Sequence, residues 1–369
     1  MGTNETLSNQ PGRLPLTNEE ILRQVQVLLE QPDGDLRTVL LKELLLGVLK
    51  VTESQLDTLD LKILNRSLKE LRHAFRVFRP YRHRSKVSVF GSARTPPDDP
   101  HYQLAVRFAR LVVQRGYMVI TGGADGIMKA CHEGAGKEHS FGVNILLPFE
   151  QGANTVIADD PKLITFKYFF TRKLMFMKES DAIALFPGGF GTQDEGFEVL
   201  TLIQTGKSQP KPIVCLQAPG SRYWDRWRSF ITDQLLPDRL ISEEDLGLFR
   251  ICESAESAVE EFERFHRNYH SIRFVNGLLV VRIRQRLSAS QLRQIHEDFS
   301  DLLAGGSFEL RGPLPEEADE PTLDLLPRLV FQYNRRSAGR LRALIDRLNS
   351  LSPEPTRRAE PAKSTRHAA

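Results

Sequence analysis

Short apolar runs that end in glycine or another small residue recur from Lys86 onward, and a stretch of helical character follows each run. This alternation constrains the fold more than any other feature, because parallel strands need crossover connections and helices usually supply them. The runs that indicate strands are 87–90, 117–120, 142–147, 181–186 and 212–216. They predict an α/β fold built on a Rossmann-like, doubly wound parallel sheet, with ligands at the carboxyl ends of its strands.

The region before the alternation has a helical pattern. It contains apolar residues spaced alternately three and four apart, namely Leu61, Leu64, Leu68, Leu71 and Phe75. Such spacing is typical of one apolar face of a helix. We therefore predict an N-terminal helical region over 1–80 that serves packing or oligomerisation, followed by the α/β domain over 81–268.

The region after the alternation predicts a small α+β appendage over 269–350. Its strands 272–275 and 278–283 flank Asn276-Gly277, which indicates a hairpin with a type I′ turn. Helices are expected over 288–303 and 323–348, and the helix before the appendage over 257–269. The segment 351–369 has few apolar residues to bury and is expected to be a disordered tail.

Composition and charge limit the possible partners. The chain carries 50 Lys and Arg against 47 Asp and Glu, and its net charge of +3 is too small to indicate a nucleic-acid partner. No segment is long and apolar enough to span a bilayer, so no membrane partner is expected. The three cysteines have no paired spacing, which fits a reducing compartment and predicts a cytoplasmic protein.

Three turns at strand ends carry glycine or small residues, at 91–94, 121–126 and 187–192. A strand-to-helix turn without side chains lets a phosphate approach backbone N–H groups at the positive end of the next helix. No Gly-Lys-Ser/Thr follows these turns, so a simple phosphate ester is favoured over ATP or NAD. The candidate phosphate-binding or substrate-binding residues in the three turns are Ser92, Gly122, Gly123, Gly126, Gly188, Gly189, Gly191 and Thr192.

The segment 187–198 has two interpretations. It places Glu195 and Glu198 three residues apart on one face of a helix, where a carboxylate can act on a ligand held by the glycine turn. Alternatively, Thr192 and Glu195 form a capping box that merely satisfies the first amides of the helix.

A basic pair, Arg172-Lys173, lies on a predicted helix over 165–178, before the strand that leads to this turn. Either residue can hold an anion or a sugar hydroxyl, or the pair can be part of a solvated basic face. Phe169, Phe170, Met175, Phe176 and Met177 are interpreted as core residues rather than base-stacking ones.

Two further patterns carry no predicted site. His132 lacks partners at metal-ligand spacing, so no metal site is expected. The basic and aromatic stretch 72–86 is interpreted as a helix end and linker rather than a nucleic-acid patch.

The pattern P-G-G-x-G-T-x-x-E at 187–195, preceded by Arg172-Lys173, resembles the hallmark of the LOG or "lysine decarboxylase-like" family. The stretches 89–94 and 122–128 support this resemblance, which covers about residues 85–265. It implies a hydrolase that splits the N-glycosidic bond of a purine nucleoside 5′-monophosphate, AMP-like or a cytokinin riboside, into base and ribose 5-phosphate.

The resemblance also implies roles for individual residues. Arg172 and Glu195 correspond to the catalytic pair, and the turn at 188–192 corresponds to the phosphate-binding turn. No cofactor or metal is implied, and a homodimer or higher homo-oligomer is expected. The chain departs from many relatives at Asp125, which adds a negative charge near the presumed phosphate. A nucleotide or cofactor carrier that binds without catalysis is therefore the alternative function.

Overall fold

A computed structural model describes residues 17–147 and 152–352 of the chain. Within it, the chain separates into two compact units, residues 1–68 and 69–369. The tail that the sequence predicts to be disordered lies outside the described residues from 353 onward. The boundaries between the four predicted regions stay predictions.

From residue 17 onward, the first unit consists of helices, as the apolar spacing predicted. They are α1 (Asn18–Glu30), α2 (Leu36–Val51) and the first half of α3 (Thr58–Phe78), which continues into the second unit. Thr17 and Glu20 form a capping box at the start of α1, where each side chain accepts a hydrogen bond from the other residue's amide.

The second unit contains a parallel sheet of seven strands in the order β4-β3-β2-β1-β5-β6-β7. The strands are β1 (Lys86–Phe90), β2 (Met118–Thr121), β3 (Ser140–Ile145), β4 (Leu163–Phe166), β5 (Ala182–Leu185), β6 (Ile213–Leu216) and β7 (Phe249–Cys252). The predicted doubly wound sheet is confirmed, and its five predicted strands are present. The edge strands β4 and β7 were not predicted, because each carries a polar residue inside the strand, Thr165 in β4 and Arg250 in β7.

Helices cover both faces of this sheet. One face is covered by α4 (Pro100–Gln114), α5 (Ile127–Ala135) and α9 (Ala255–Phe265), and the other by the end of α3 with α6 (Phe169–Glu179), α7 (Phe190–Gln204) and α8 (Tyr223–Phe230). Each helix layer buries apolar side chains against the sheet, which therefore has an apolar core on both sides.

Two predicted helices near this sheet have wrong boundaries. The helix predicted over 165–178 begins at Phe169, since 165–166 complete β4. The helix predicted over 257–269 runs from Ala255 to Phe265 and is capped by Ser254, whose side chain accepts from the amide of Ser257. Its predicted end, Tyr269, begins a strand instead.

The C-terminal part forms a four-stranded antiparallel sheet in the order β10-β11-β9-β8. Its elements are β8 (Tyr269–Val275), β9 (Leu278–Ile283), α10 (Ala289–Phe299), β10 (Leu303–Arg311), β11 (Arg328–Tyr333) and α11 (Ala338–Ser350). Asn276 and Gly277 both have positive φ, as the predicted type I′ turn requires. The predicted helix over 323–348 is wrong at its start, because Leu329-Val330-Phe331 form a buried strand of this sheet.

The position of β1 and β5 determines where a ligand can bind. These two strands are direct neighbours, with Phe90 opposite Leu185. The chain leaves β1 toward α4 on one face and leaves β5 toward α7 on the other. A crevice opens at such a switch point, outside the carboxyl ends of the strands.

Candidate functional site

The glycine turn after β5 leads directly into α7, whose N-cap is Gly189. The amides of Thr192 and Gln193 both donate to the carbonyl of Gly189, at 3.1 Å. The amides of Phe190 and Gly191, at the first two positions of the helix, have no acceptor within it. A Cβ built on Gly189 or Gly191 would meet nothing within 4 Å, so this end of α7 faces open space. An anion can approach these amides without obstruction.

The capping box suggested for Thr192 and Glu195 is wrong. Because α7 begins at Phe190, Thr192 is the third residue of the helix rather than its N-cap. No side chain caps α7. The side chain of Thr192 is buried against Gly188 instead, where an added Cβ would lie 2.8 Å from the Cβ of Thr192.

The turns after β1 and β5 are in direct contact. The amide of Ser92 donates to the carbonyl of Pro187 at 3.1 Å, and an added Cβ on Gly188 would lie 3.0 Å from the same amide. The carbonyl of Ser92 accepts from the amide of Ile127 at 3.0 Å, which joins the third turn to the other two. Gly126 has a positive φ and no room for a side chain, since a Cβ would lie 2.8 Å from the Cα of Ala93.

The turn at 122–126 lies beside Arg172. A Cβ on Gly122 would lie 2.7 Å from Nη2 of Arg172 and 2.7 Å from Sδ of Met128. The structure thus brings the three predicted turns to one edge of the sheet with the basic pair of α6. Asp125, the departure from the family pattern, is exposed.

A buried polar network that was not predicted holds Gly123 in place. The Thr121 hydroxyl accepts from the Gly123 amide at 3.0 Å and lies 2.9 Å from Nε2 of His132. Asn154 Nδ2 donates to the carbonyls of Gly123 at 3.0 Å and Ala124 at 2.9 Å. His132 is fully buried, and burial lowers its pKa to about 4, so it is neutral near pH 7.

Arg172 and Glu195 meet across the gap between α6 and α7. Nη1 of Arg172 lies 4.0 Å from Oε1 of Glu195, and the two side chains are only 13% and 9% exposed. Arg172 is anchored from behind, since its Nε donates to the carbonyl of Val143 at 2.9 Å. Its guanidinium also lies over the ring of Phe176, 5.1 Å from the centroid. The pair is therefore held in place before any ligand arrives.

Lys173 is surrounded by carboxylates of α7. Its Nζ lies 2.9 Å from Oδ2 of Asp194, 2.5 Å from Oε2 of Glu198 and 3.4 Å from Oε2 of Glu195. Burial alone would lower the pKa of Lys173, but the hydrogen bonds to Asp194 and Glu198 raise it above its ordinary value. Lys173 thus acts on the site through Glu195, and its predicted contact with substrate stays a prediction.

Burial raises the pKa of Glu195 above its ordinary value. The positive charges of Lys173 and Arg172 oppose this shift, while Glu198 and Asp194 add to it. The result is a buried carboxylate with a raised pKa beside an arginine in a crevice, which is the kind of group that serves acid or base chemistry.

The aromatic and methionine residues of α6 divide into two sets. Met175, Phe176 and Met177 are buried, as predicted. The prediction is wrong for Phe169 and Phe170, which lie in the first turn of α6 and are 50% and 55% exposed. Phe190, in the glycine turn, is 97% exposed.

Two further observations concern the described residues. Within 17–147 and 152–352, no group of three or more His, Cys, Asp or Glu side chains is arranged to hold a metal ion. No helix in those same ranges combines the length and the apolar character needed to cross a membrane.

Known proteins resemble the α/β part of this chain in sequence. A sequence model described as "Possible lysine decarboxylase" matches residues 125–262. The rice protein named probable cytokinin riboside 5′-monophosphate phosphoribohydrolase LOGL5 (Oryza sativa subsp. japonica) is 34% identical over 154 residues, which are 40% of this chain and 58% of the relative. The cytokinin riboside 5′-monophosphate phosphoribohydrolase LOG3 of Arabidopsis thaliana is 28% identical over 192 residues, 49% of this chain and 82% of the relative.

Solved structures also resemble this chain. A structural-genomics X-ray structure of TM1055 has a TM-score of 0.35 and 21% identity, and covers 49% of this chain and 99% of its own. The molybdenum cofactor binding protein of Rippkaea orientalis has a TM-score of 0.35 and 18% identity, with 48% and 94% covered. The α/β part of this chain, which carries the hallmark residues at 187–195, is similar in sequence to proteins of the LOG, or lysine decarboxylase-like, family.

Proposed function

We propose that the protein hydrolyses the N-glycosidic bond of a purine nucleoside 5′-monophosphate, AMP or a cytokinin riboside monophosphate, to free base and ribose 5-phosphate. The observation that carries the proposal is the buried Arg172–Glu195 pair beside the uncapped start of α7. The relatives named as phosphoribohydrolases support the same reaction class. The substrate is a small molecule, and the residues assigned here require no cofactor or metal.

In this proposal the glycine turn binds the 5′-phosphate. The open amides of Phe190 and Gly191 and the positive end of α7 attract its charge. The phosphate is remote from the bond that breaks, so its binding free energy positions the ribose rather than reacting. We therefore expect monophosphates to be cleaved far faster than free nucleosides.

The chemistry falls to Glu195 and Arg172. The bond between C1′ of the ribose and the ring nitrogen breaks, and its electron pair leaves with the base, which takes up a proton. Positive charge develops on the ribose, and the ionised Glu195 offsets it. Glu195 also removes a proton from the attacking water, whose oxygen ends as the hydroxyl on C1′. Arg172, fixed by Val143 and Phe176, donates hydrogen bonds that orient the sugar or the departing base.

The test is base release from a panel of purine monophosphates, followed by chromatography. Glu195→Gln keeps the shape of the side chain but removes the base, and we expect kcat to fall by about 10²–10⁴-fold with little change in KM. The matched control is Glu260→Gln, an exposed carboxylate on α9 on the opposite face of the sheet, which should leave kcat unchanged. A wild-type protein that releases no base from any monophosphate contradicts the proposal.

The alternative is a carrier that binds a nucleotide or cofactor in this crevice without cleaving it. Two observations favour it, the exposed Asp125 near the turn and the neutralisation of Lys173 by three carboxylates. Tight binding of a monophosphate that is recovered intact after long incubation supports this alternative. Release of base at a rate that depends on Glu195 excludes it.

A further inference from the structure

A second open cavity adjoins the glycine turn, on the flank of α7 opposite the Arg172–Glu195 pair. It has a volume of about 700 Å³. Its lining residues come from the start of α7, the loop after β6 and α8, and they are Gln193, Gly220, Ser221, Arg222, Tyr223, Arg226 and Trp227. None of these residues was predicted to take part in a site.

The wall of this cavity is bonded to the glycine turn itself. The Tyr223 hydroxyl donates to the carbonyl of Gly188 at 2.5 Å and accepts from Nε2 of Gln193 at 2.6 Å. Gln193 belongs to the first turn of α7, as does Thr192. The start of α7 therefore separates two spaces, one toward α6 that holds Glu195 and one toward α8 that holds Tyr223.

The cavity carries positive charge without any compensating carboxylate. Its lining includes Arg222 and Arg226 and no acidic residue. Arg222 is the N-cap of α8 and Arg226 lies in the first turn of that helix, and both line the cavity. Asp225, between them in sequence, is turned away and accepts a hydrogen bond from Gln217 at 2.9 Å. Among the described residues, neither guanidinium forms a side-chain hydrogen bond or ion pair.

The basic residue on the other flank of α7 is already neutralised. Lys173, on the α6 flank, contacts three carboxylates. A smaller cavity of about 330 Å³ lies at the amino ends of β1 and β5, at the edge of the sheet opposite the glycine turn. On the α8 flank, by contrast, two arginines without a carboxylate partner among the described residues line an open cavity beside the proposed phosphate-binding turn.

We propose that this cavity is a subsite for a second anionic group attached to the 5′-phosphate. The protein then recognises nucleoside 5′-diphosphates, with the ribose toward Glu195, the first phosphate at the start of α7 and the second phosphate between Arg222 and Arg226. The inference rests on the proposed function, since it needs the first phosphate at the glycine turn. Guanidinium groups suit this task, because their fork of donors matches phosphate oxygens.

Calorimetric titration of the full chain with AMP and with ADP, at one low salt concentration, tests the proposal. We expect ADP to bind about tenfold tighter than AMP or more, as one or two added charge-assisted hydrogen bonds imply. The double variant Arg222→Gln, Arg226→Gln should reduce the ADP affinity to that of AMP and leave AMP binding within about twofold. Arg228→Gln, an exposed arginine on α8 outside the cavity, is the matched control and should keep the preference.

Each outcome decides the matter. Equal affinities for AMP and ADP in the wild type overturn the subsite, and so does an equal loss of preference in Arg228→Gln, which would indicate general surface charge. Failure of both nucleotides to bind overturns the subsite together with the proposed function. Retention of the ADP preference in a protein that releases no base from AMP overturns only the hydrolase. Circular dichroism of each variant confirms that it is folded.

Discussion

Alanine substitutions at Gly188 and at Gly191, two glycines of the same turn, distinguish a glycine that the fold requires from one that ligand binding requires. At Gly188 an added methyl collides with the Cβ of Thr192 at 2.8 Å and with the Ser92 amide at 3.0 Å. At Gly191 an added methyl meets nothing within 4 Å. Both positions belong to the same short turn, so the two variants form a matched pair that differs in where the methyl points.

The structure gives opposite expectations for stability and for binding. Gly188→Ala overpacks a buried contact, which typically lowers the free energy of unfolding by about 1–3 kcal/mol. Gly191→Ala lies in the first turn of α7, where alanine is the better helix former, so we expect unchanged or slightly higher stability, by up to about 1 kcal/mol. Its methyl occupies the space that the phosphate needs, and loss of one charge-assisted hydrogen bond should raise KM about tenfold or more.

Two measurements on each variant decide the outcome. Urea denaturation followed by circular dichroism gives the free energy of unfolding, and base release over a range of AMP concentrations gives KM and kcat. Gly191→Ala with a wild-type KM would refute the placement of the phosphate at the start of α7. Gly188→Ala with wild-type stability would refute the close contact between the β1 and β5 turns.

Two further predictions concern protonation. Burial raises the pKa of Glu195 and the charge of Lys173 opposes that shift, so Lys173→Gln should move the acid limb of the pH–rate profile to higher pH. Glu198→Gln removes a negative charge that raises the pKa of Glu195, so it should move the acid limb to lower pH. Unchanged acid limbs would refute ionised Glu195 as the general base. His132 has its pKa lowered by burial from 6.5 to about 4, so the unfolded chain binds its proton first and the free energy of unfolding falls as the pH drops from 6.5 toward 4. Between neutral pH and about pH 4.5, the free energy of unfolding, measured by urea denaturation, should fall by about 2–3 kcal/mol less in His132→Gln than in the wild type. Equal decreases in the two proteins would contradict a neutral buried His132.

The sheet could be predicted because its central strands end in glycine turns. Strands such as β1 and β5 are apolar runs closed by Gly91 and Gly188, and their alternation with helices leaves few topologies. The edge strands β4 and β7 gave no comparable signal, since the sequences LITF and FRIC each place a polar residue among the apolar ones and no glycine turn follows directly. The segment Arg328–Tyr333 was assigned to a helix because its apolar residues fit either period, and only pairing with β9 and β10 makes it a strand.

The site was predictable where it is local in sequence and not where it depends on tertiary contacts. Arg172 and Glu195 were identified from a motif, and the structure places them 4.0 Å apart. Thr121, His132 and Asn154 were missed as a unit, because Asn154 joins them from 22 residues beyond His132. Tyr223 was missed for the same reason, since its bond to Gly188 spans 35 residues.

The start of α7 shows why a difference of three residues in the N-cap, Gly189 rather than Thr192, changes the functional conclusion. If Thr192 were the N-cap, its hydroxyl and the carboxylate of Glu195 would satisfy the first amides, and neither group would be available to a ligand. Because α7 begins at Phe190, the amides stay open, Thr192 packs beneath the turn, and Glu195 extends toward Arg172. Gly188 is then required by the fold, whereas Gly189 and Gly191, with free space around them, have no such requirement from the protein. Glycine is needed at these two positions if a ligand must approach the backbone closely, and we therefore place the phosphate there. For the same reason, Gly191→Ala should weaken ligand binding without lowering the stability of the fold.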